Sequence, residues 1–149
     1  MVDYVERARE NFLAGYNCAQ SVVLAFADVA GLSADQAVML ASSFGGGMGR
    51  LREVCGALTG LFMVDGLLEG YKSPTDKDAK AAHYARTQEL AAKFREEMGN
   101  ILCRELLDNP ATTPIPDERS KEYYQGRPCL KAVMCAAKIG QEIIQNRNI

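Results

Sequence analysis

The stretch "VCGALTGLFMVDGLLE" (residues 54–69) is apolar on nearly every helical face. A helix that is hydrophobic all round is stable only when other elements cover it on all sides. This segment therefore predicts a buried central helix over about 54–69, and the rest of the chain must wrap it. Gly56 and Gly60 lie four residues apart and so share one face. Each costs about 1 kcal/mol of helix propensity relative to Ala. Close approach of another helix backbone would offset that cost. Asp65 interrupts the apolar surface. It is expected at a solvent edge, with a paired buried carboxylate as the alternative.

The other segments also read as helices, with no sustained alternation of period two to suggest strands. The expected helices cover 3–14, 18–30, 34–43, 54–69, 76–98, 101–108 and 128–146. Gly15, Gly31 and Gly99 stand where helix-ending glycines belong. Asn17 is placed to cap the second helix, and Ser33 with Gln36 forms a capping-box pattern for the third. Thr75 is the expected cap of the long fifth helix, and Pro128 takes a first-turn position in the last. Along the fifth helix Tyr84, Thr87, Leu90, Ala91, Phe94 and Met98 make an apolar stripe. Residues 109–127 read as a long irregular connection, a length that usually signals function or a lid. The expectation is one all-α domain over residues 1–149, a compact bundle of six to seven helices.

Just before the central helix, "FGGGMGR" puts four glycines in five positions: Gly45, Gly46, Gly47 and Gly49. No helix interior tolerates that density, so the segment is a loop with unusual backbone angles or close contacts. It lacks the Lys-Ser/Thr ending of a phosphate loop, and no strand precedes it. A tight turn packed under helices is the simpler reading. A backbone N–H nest facing the cysteines is the other.

The balance of charge excludes several partners. The net charge is −2, and no window is strongly basic, so no nucleic-acid surface is expected. The N-terminal "MVDYVERARENF" carries charges where a signal peptide would be apolar. No segment approaches the roughly 20 apolar residues of a membrane span. The expectation is a cytoplasmic protein.

Five cysteines remain: Cys18, Cys55, Cys103, Cys129 and Cys135. An odd number without a CxxC pair argues against a disulfide framework or a zinc ribbon. Four of them, Cys18, Cys55, Cys103 and Cys129, fall at or near predicted helix starts. Free N–H groups there favour the thiolate, the reactive and metal-ligating form. Cys18 shares a face with Val22, Ala25 and Val29; Cys129 shares one with Val133, Ala136, Gly140 and Ile143. These four thiols are expected to point inward. Cys135 shares its face with Lys131, Lys138 and Glu142, so it is expected to lean toward solvent, outside any shared site. The single histidine, His83, is expected at the edge of the fifth helix's stripe. It makes a Cys–His pair only if the fold brings it to a cysteine.

The chain resembles a family of redox-active proteins known by the pattern C_GCAxxG_C_C, whose central motif reads CGAxxG. The matching strings are "CGALTG" (Cys55–Gly60), "GYNCAQSVVLAFAD" (Gly15–Asp28), "SFGGGMGRLREVCGALTG" (Ser43–Gly60), "LCRELL" (Leu102–Leu107) and "RPCLKAV" (Arg127–Val133). The resemblance implies that Cys18, Cys55, Cys103 and Cys129 are the family's four shared cysteines. It also implies a redox function, and a functional link to a transporter. On that basis the expected chemistry is thiol–disulfide exchange of an oxidoreductase type. Cys55 would attack, and Cys18, Cys103 or Cys129 would resolve. Asn17, Gly45, Gly46, Gly47, Gly49, Gly56 and Gly60 would line the site. The alternative is a zinc or iron–sulfur site built from the same four cysteines. A helical scaffold without chemistry is the remaining reading. The expected partner is a redox protein or a small molecule, and a homo-oligomer is open.

Overall fold

The computed structural model describes residues 2–147. Helix starts follow their caps closely. The Asp3 carboxylate accepts from the Glu6 N–H at 3.0 Å and opens α1 (Tyr4–Leu13). Gly15, at φ 112°, turns the chain into α2 (Cys18–Ala25), where Asn17 and Gln20 cap each other reciprocally. Ser33 and Gln36 form the same box at α3 (Ala34–Ala41). After a short 3₁₀ turn, Gly45–Met48 makes one nominal helical turn, α4, with Gly46 and Gly47 in left-handed conformations. There follow α5 (Gly56–Glu69), α6 (Lys77–Met98), α7 (Cys103–Leu106), α8 (Lys121–Gly126) and α9 (Cys129–Asn146). The α6 cap is Asp76 rather than Thr75, and Gly99 ends that helix at φ 92°.

The fold is all-α, and no strand occurs among the described residues; Val54 and Leu102 form one isolated antiparallel bridge. The seven helices read from the sequence are all present, with three differences. The second ends at Ala25, where bonds three residues apart (Phe26 N–H to Val23 O, Ala27 N–H to Leu24 O) tighten the chain into a turn before Gly31. The central helix begins at Gly56, with Cys55 as its cap. The long connection holds α8, opened by Ser120, whose hydroxyl accepts from the Tyr123 N–H.

Helix α5 lies between α2, α9 and α6. Leu58, Leu61 and Val64 are fully buried on it. Each contributes about 2 kcal/mol relative to exposure, which outweighs the two glycine penalties. The glycines have the role expected of them. A Cβ on Gly60 would stand 3.0 Å from the Ala19 carbonyl and 3.1 Å from Val22 Cβ, so α2 is pressed against this face. Asp65 is not at a solvent edge. It is 1% exposed and paired with Arg86, whose Nε donates to Oδ1 at 2.8 Å.

The main core gathers Phe12, Phe26, Leu58, Phe94 and Val133, with Tyr4 stacked on Phe26 at 4.6 Å. A smaller cluster of Ala19, Val23, Ala27, Ala37 and Ala41 ties α2 to α3. On α6 only Leu90 and Phe94 are buried, and Tyr84 at the head of the predicted stripe is exposed. Among the described residues, no helix is long and apolar enough to cross a membrane.

Candidate functional site: a four-cysteine pocket

Three cysteines are the first residue of a helix: Cys18 of α2, Cys103 of α7 and Cys129 of α9. Cys55 caps α5. Two of the four are tied together by the backbone. The Cys55 N–H donates to the Ile101 carbonyl at 2.8 Å, and the Cys103 N–H donates to the Glu53 carbonyl at 2.6 Å. These bonds set residues 53–55 against 101–103. All four cysteines line one cavity of about 70 Å³, walled by Phe12, Leu106 and Ala132. Cys55 and Cys103 are buried, while Cys18 and Cys129 are half-buried. Electrostatically, Cys18 acts on each of the other three.

The glycines make this packing feasible. A Cβ on Gly56 would come within 2.7 Å of Cys18 Sγ and 2.6 Å of the Phe44 carbonyl. One on Gly47 would meet Cys103 Cβ at 2.7 Å, and one on Gly45 would overlap the Asn17 side chain. Asn17, Gly46 and Gly56 line the cavity; Gly45 and Gly49 line a groove just outside it. Gly60 lies one turn further along α5, against Ala19 and Val22. The glycine-rich loop makes a tight turn. The N–H groups of Gly49, Arg50, Arg52 and Glu53 donate to carbonyls of Gly45, Gly45, Gly46 and Gly47, so they are spent within the loop rather than turned toward the thiols.

At Cys55 the helix start does act on the thiol as expected, but it does not win. The backbone N–H groups of Ala57 and Leu58 lower the Cys55 pKa; burial, then the neighbouring Cys18, push it well above its ordinary value. A pKa lowered at Cys55 is therefore not what this environment gives. Burial and the nearby Cys18 and Cys103 push Cys129 up to about 12, against the pull of Arg127 and Arg119. Cys103 is also pushed up by burial, although Arg52 Nη1 contacts its sulfur at 3.7 Å and opposes the shift. Taking a thiolate out of water costs more than a few partial charges return.

Sequence reasoning missed the arginines. Arg52, Arg119 and Arg127 line the cavity, and with Arg50 and Asp117 they line the outer groove of about 270 Å³. Asp117 accepts from Arg50 Nη1 at 2.9 Å and stands 2.9 Å from Arg127 Nη2. These partners, Arg50 first, hold its carboxyl below the usual range. Arg119 donates to the Phe12 and Tyr16 carbonyls and stacks 4.3 Å from the Phe12 ring. Arg50 and Arg52 both hold positive φ, at 71° and 62°. For non-glycine residues that costs of order 1–3 kcal/mol each. The signal was position rather than composition: Arg52 precedes Cys55 by three residues, and Arg127 precedes Cys129 by two.

Two residues stand apart from the pocket. His83 Nδ1 lies 2.9 Å from Arg86 Nη2 and 3.8 Å from Asp65, so it forms no Cys–His pair. Cys135 does not lean toward solvent; it is 2% exposed and donates to Glu97 Oε2 on α6 at 3.1 Å. The long Lys131 and Lys138 side chains on its face reach water while the short thiol stays beneath α6. Its separation from the other four is as expected.

The described protein is thus an all-α bundle with four cysteines from four helix starts around one cavity. A family model described as "Putative redox-active protein (C_GCAxxG_C_C)" matches residues 16–143, and the chain belongs to that family. No curated protein and no solved structure matches the chain. Among the described residues, no three His, Cys, Asp or Glu side chains are grouped as ligands for a metal ion.

Proposed function

We propose that the pocket is a thiol–disulfide centre in which Cys18 exchanges with an incoming disulfide and one of Cys55, Cys103 or Cys129 resolves it. The observation that carries this reading is the convergence of four thiols on one cavity, with Cys18 beside all the others. The Cys18 thiolate attacks a partner disulfide and releases one partner thiol after proton transfer. A second pocket thiol then attacks the mixed disulfide, releasing the other. The protein is oxidised by two electrons, and the partner disulfide is reduced to two thiols. Cys55 suits the resolving role better than the attacking one. It is buried, and burial with the neighbouring Cys18 favours its protonated form.

Anaerobic protein titrated with a disulfide oxidant tests this. Five thiols are present at the start. They should disappear in pairs and return on reduction, with Cys18 in the bond found by peptide mapping and Cys135 still free. Cys18→Ser should abolish fast oxidation, and Cys135→Ser should not. With iodoacetamide, alkylation of Cys129 should be slow at pH 7 and climb only well beyond pH 9, since burial pushes that thiol up to about 12. A thiol count that oxidant leaves unchanged, or stoichiometric zinc or iron in the anaerobic protein, overturns the reading.

A further inference from the structure

We infer that the arginine-lined mouth of the cysteine pocket is a binding site for a small oxyanion. The first observation is Arg52. It is 4% exposed, and its Nη2 is buried without a hydrogen-bond partner. Its Nε is spent on the Ala111 carbonyl at 2.9 Å, and its Nη1 meets Cys103 Sγ. The Asp117 carboxylate stands 4.0 Å from Nη2, too far for a hydrogen bond. A buried guanidinium nitrogen left unpaired is costly, and an anion answers it.

The second observation is where Arg52 sits. Arg52, Arg119, Arg127, Tyr123, Asn17 and Gly46 line both the inner cavity and the outer groove, so they form the junction between them. The third is charge. Four guanidinium groups, those of Arg50, Arg52, Arg119 and Arg127, line the groove with one carboxylate, Asp117, which is already shared between Arg50 and Arg127. The surplus is positive, in a partly enclosed site where screening is weak. The fork of a guanidinium matches paired oxygens of an anion.

Size selects the ligand. An inner cavity of about 70 Å³ admits a tetrahedral or pyramidal oxyanion and excludes a peptide-sized acid. A bound anion would lie beside the Cys103 and Cys129 thiols. The inference extends the thiol reading of the same pocket, but it stands on the arginines and needs no thiol to react.

The test is calorimetric titration of the anaerobically reduced protein at low chloride with sulfate, a redox-inert tetrahedral dianion. Saturable binding of one sulfate per chain is expected. Arg127→Gln should weaken it at least ten-fold; Arg127→Lys, which keeps the charge but not the fork, should weaken it less. Arg52→Lys should act in the same direction. Arg9→Gln, which alters an exposed pair with Glu6 on α1, should leave it unchanged. Sulfate should also slow pocket alkylation by anionic iodoacetate more than by neutral iodoacetamide. No saturable binding by the unaltered protein, or binding indifferent to both Arg127→Gln and Arg52→Lys, overturns the inference. Oxidant titration without sulfate reads the thiols separately, so the two failures are distinguishable.

Discussion

The two ends of α5 bury polar groups in opposite ways. At its C-terminal end Asp65 and Glu69 meet Arg86 and Arg147. Arg86 reaches Asp65 at 2.8 Å and Glu69 at 3.1 Å, and Arg147 reaches Glu69 at 2.7 Å. Asp65 Oδ2 lacks a hydrogen bond, yet His83 faces it at 3.8 Å, and neither residue lines the cysteine cavity. Opposite charges close that end, and the contacts clamp α5 to α6 and to the C-terminal end of α9. At its N-terminal end Cys55 and Gly56 open onto a cavity ringed by thiols and an arginine surplus. Thiols are weak donors and poor acceptors, so they leave the guanidinium groups partly unanswered. One end pairs its carboxylates with cations, although Asp65 Oδ2 and Arg147 Nη1 make no hydrogen bond; the other gathers more cations than carboxylates.

The sharpest way to break this contrast is to open the closed end. Arg86→Ala leaves the buried Asp65 carboxylate facing only His83. Removing one partner of a buried pair is strongly destabilising, because the remaining charge stays desolvated. With Arg86 partly exposed, the expected loss is about 3 kcal/mol, read as a lowered urea midpoint at pH 7. Oxidation of the pocket thiols in the folded variant should be unchanged. A midpoint that did not move would mean the far end is no clamp.

A somewhat smaller effect is expected from closing the open end. Gly56→Ala places a methyl against Cys18 Sγ and the Phe44 carbonyl. Better helix propensity returns about 1 kcal/mol, but overpacking against backbone costs more, for a net loss of roughly 2 kcal/mol. The variant should also oxidise more slowly, because Cys18 must shift. An Ala at Gly66, which has open space, should instead be neutral or stabilising. If Gly56→Ala behaved like Gly66→Ala by urea midpoint and oxidation rate, the glycine would have no role in seating Cys18.

How legible each end was follows from what sequence encodes locally. The caps at Asn17 and Ser33, the stop at Gly99 and the buried α5 are local patterns, and they were readable. The grouping of Cys18, Cys55, Cys103 and Cys129 was readable too, because helix starts and apolar faces pointed one way. The balance of forces on them was not. The N–H groups at the start of α5 are local, whereas the burial that overrides them comes from distant α2 and α9. Asp65, Cys135 and the arginines failed for the same reason. Arg86 lies 21 residues from Asp65, Glu97 lies 38 from Cys135, and Asp117 lies 67 from Arg50. Nothing in a 3.6-residue period announces partners at such separations.

The smallest expected effect separates burial from reactivity within one residue type. Cys135 is as buried as Cys55, yet it faces Glu97 rather than other thiols. Cys135→Ala removes one hydrogen bond and little volume, so about 1 kcal/mol of stability should go at pH 7. Burial, then Glu97, pushes this thiol from an ordinary 9.0 up to about 12. The folded state therefore holds the proton more tightly than the unfolded state does. That contribution is complete below pH 9 and is lost as pH rises from there toward 12. The urea midpoint of the unaltered protein should fall across that window. In Cys135→Ala it should fall less steeply, while pairwise oxidation of the four pocket thiols continues unchanged. A variant whose alkaline slope matched the parent's would place the raised thiol pKa in the pocket alone, and slower oxidation would join Cys135 to the pocket after all.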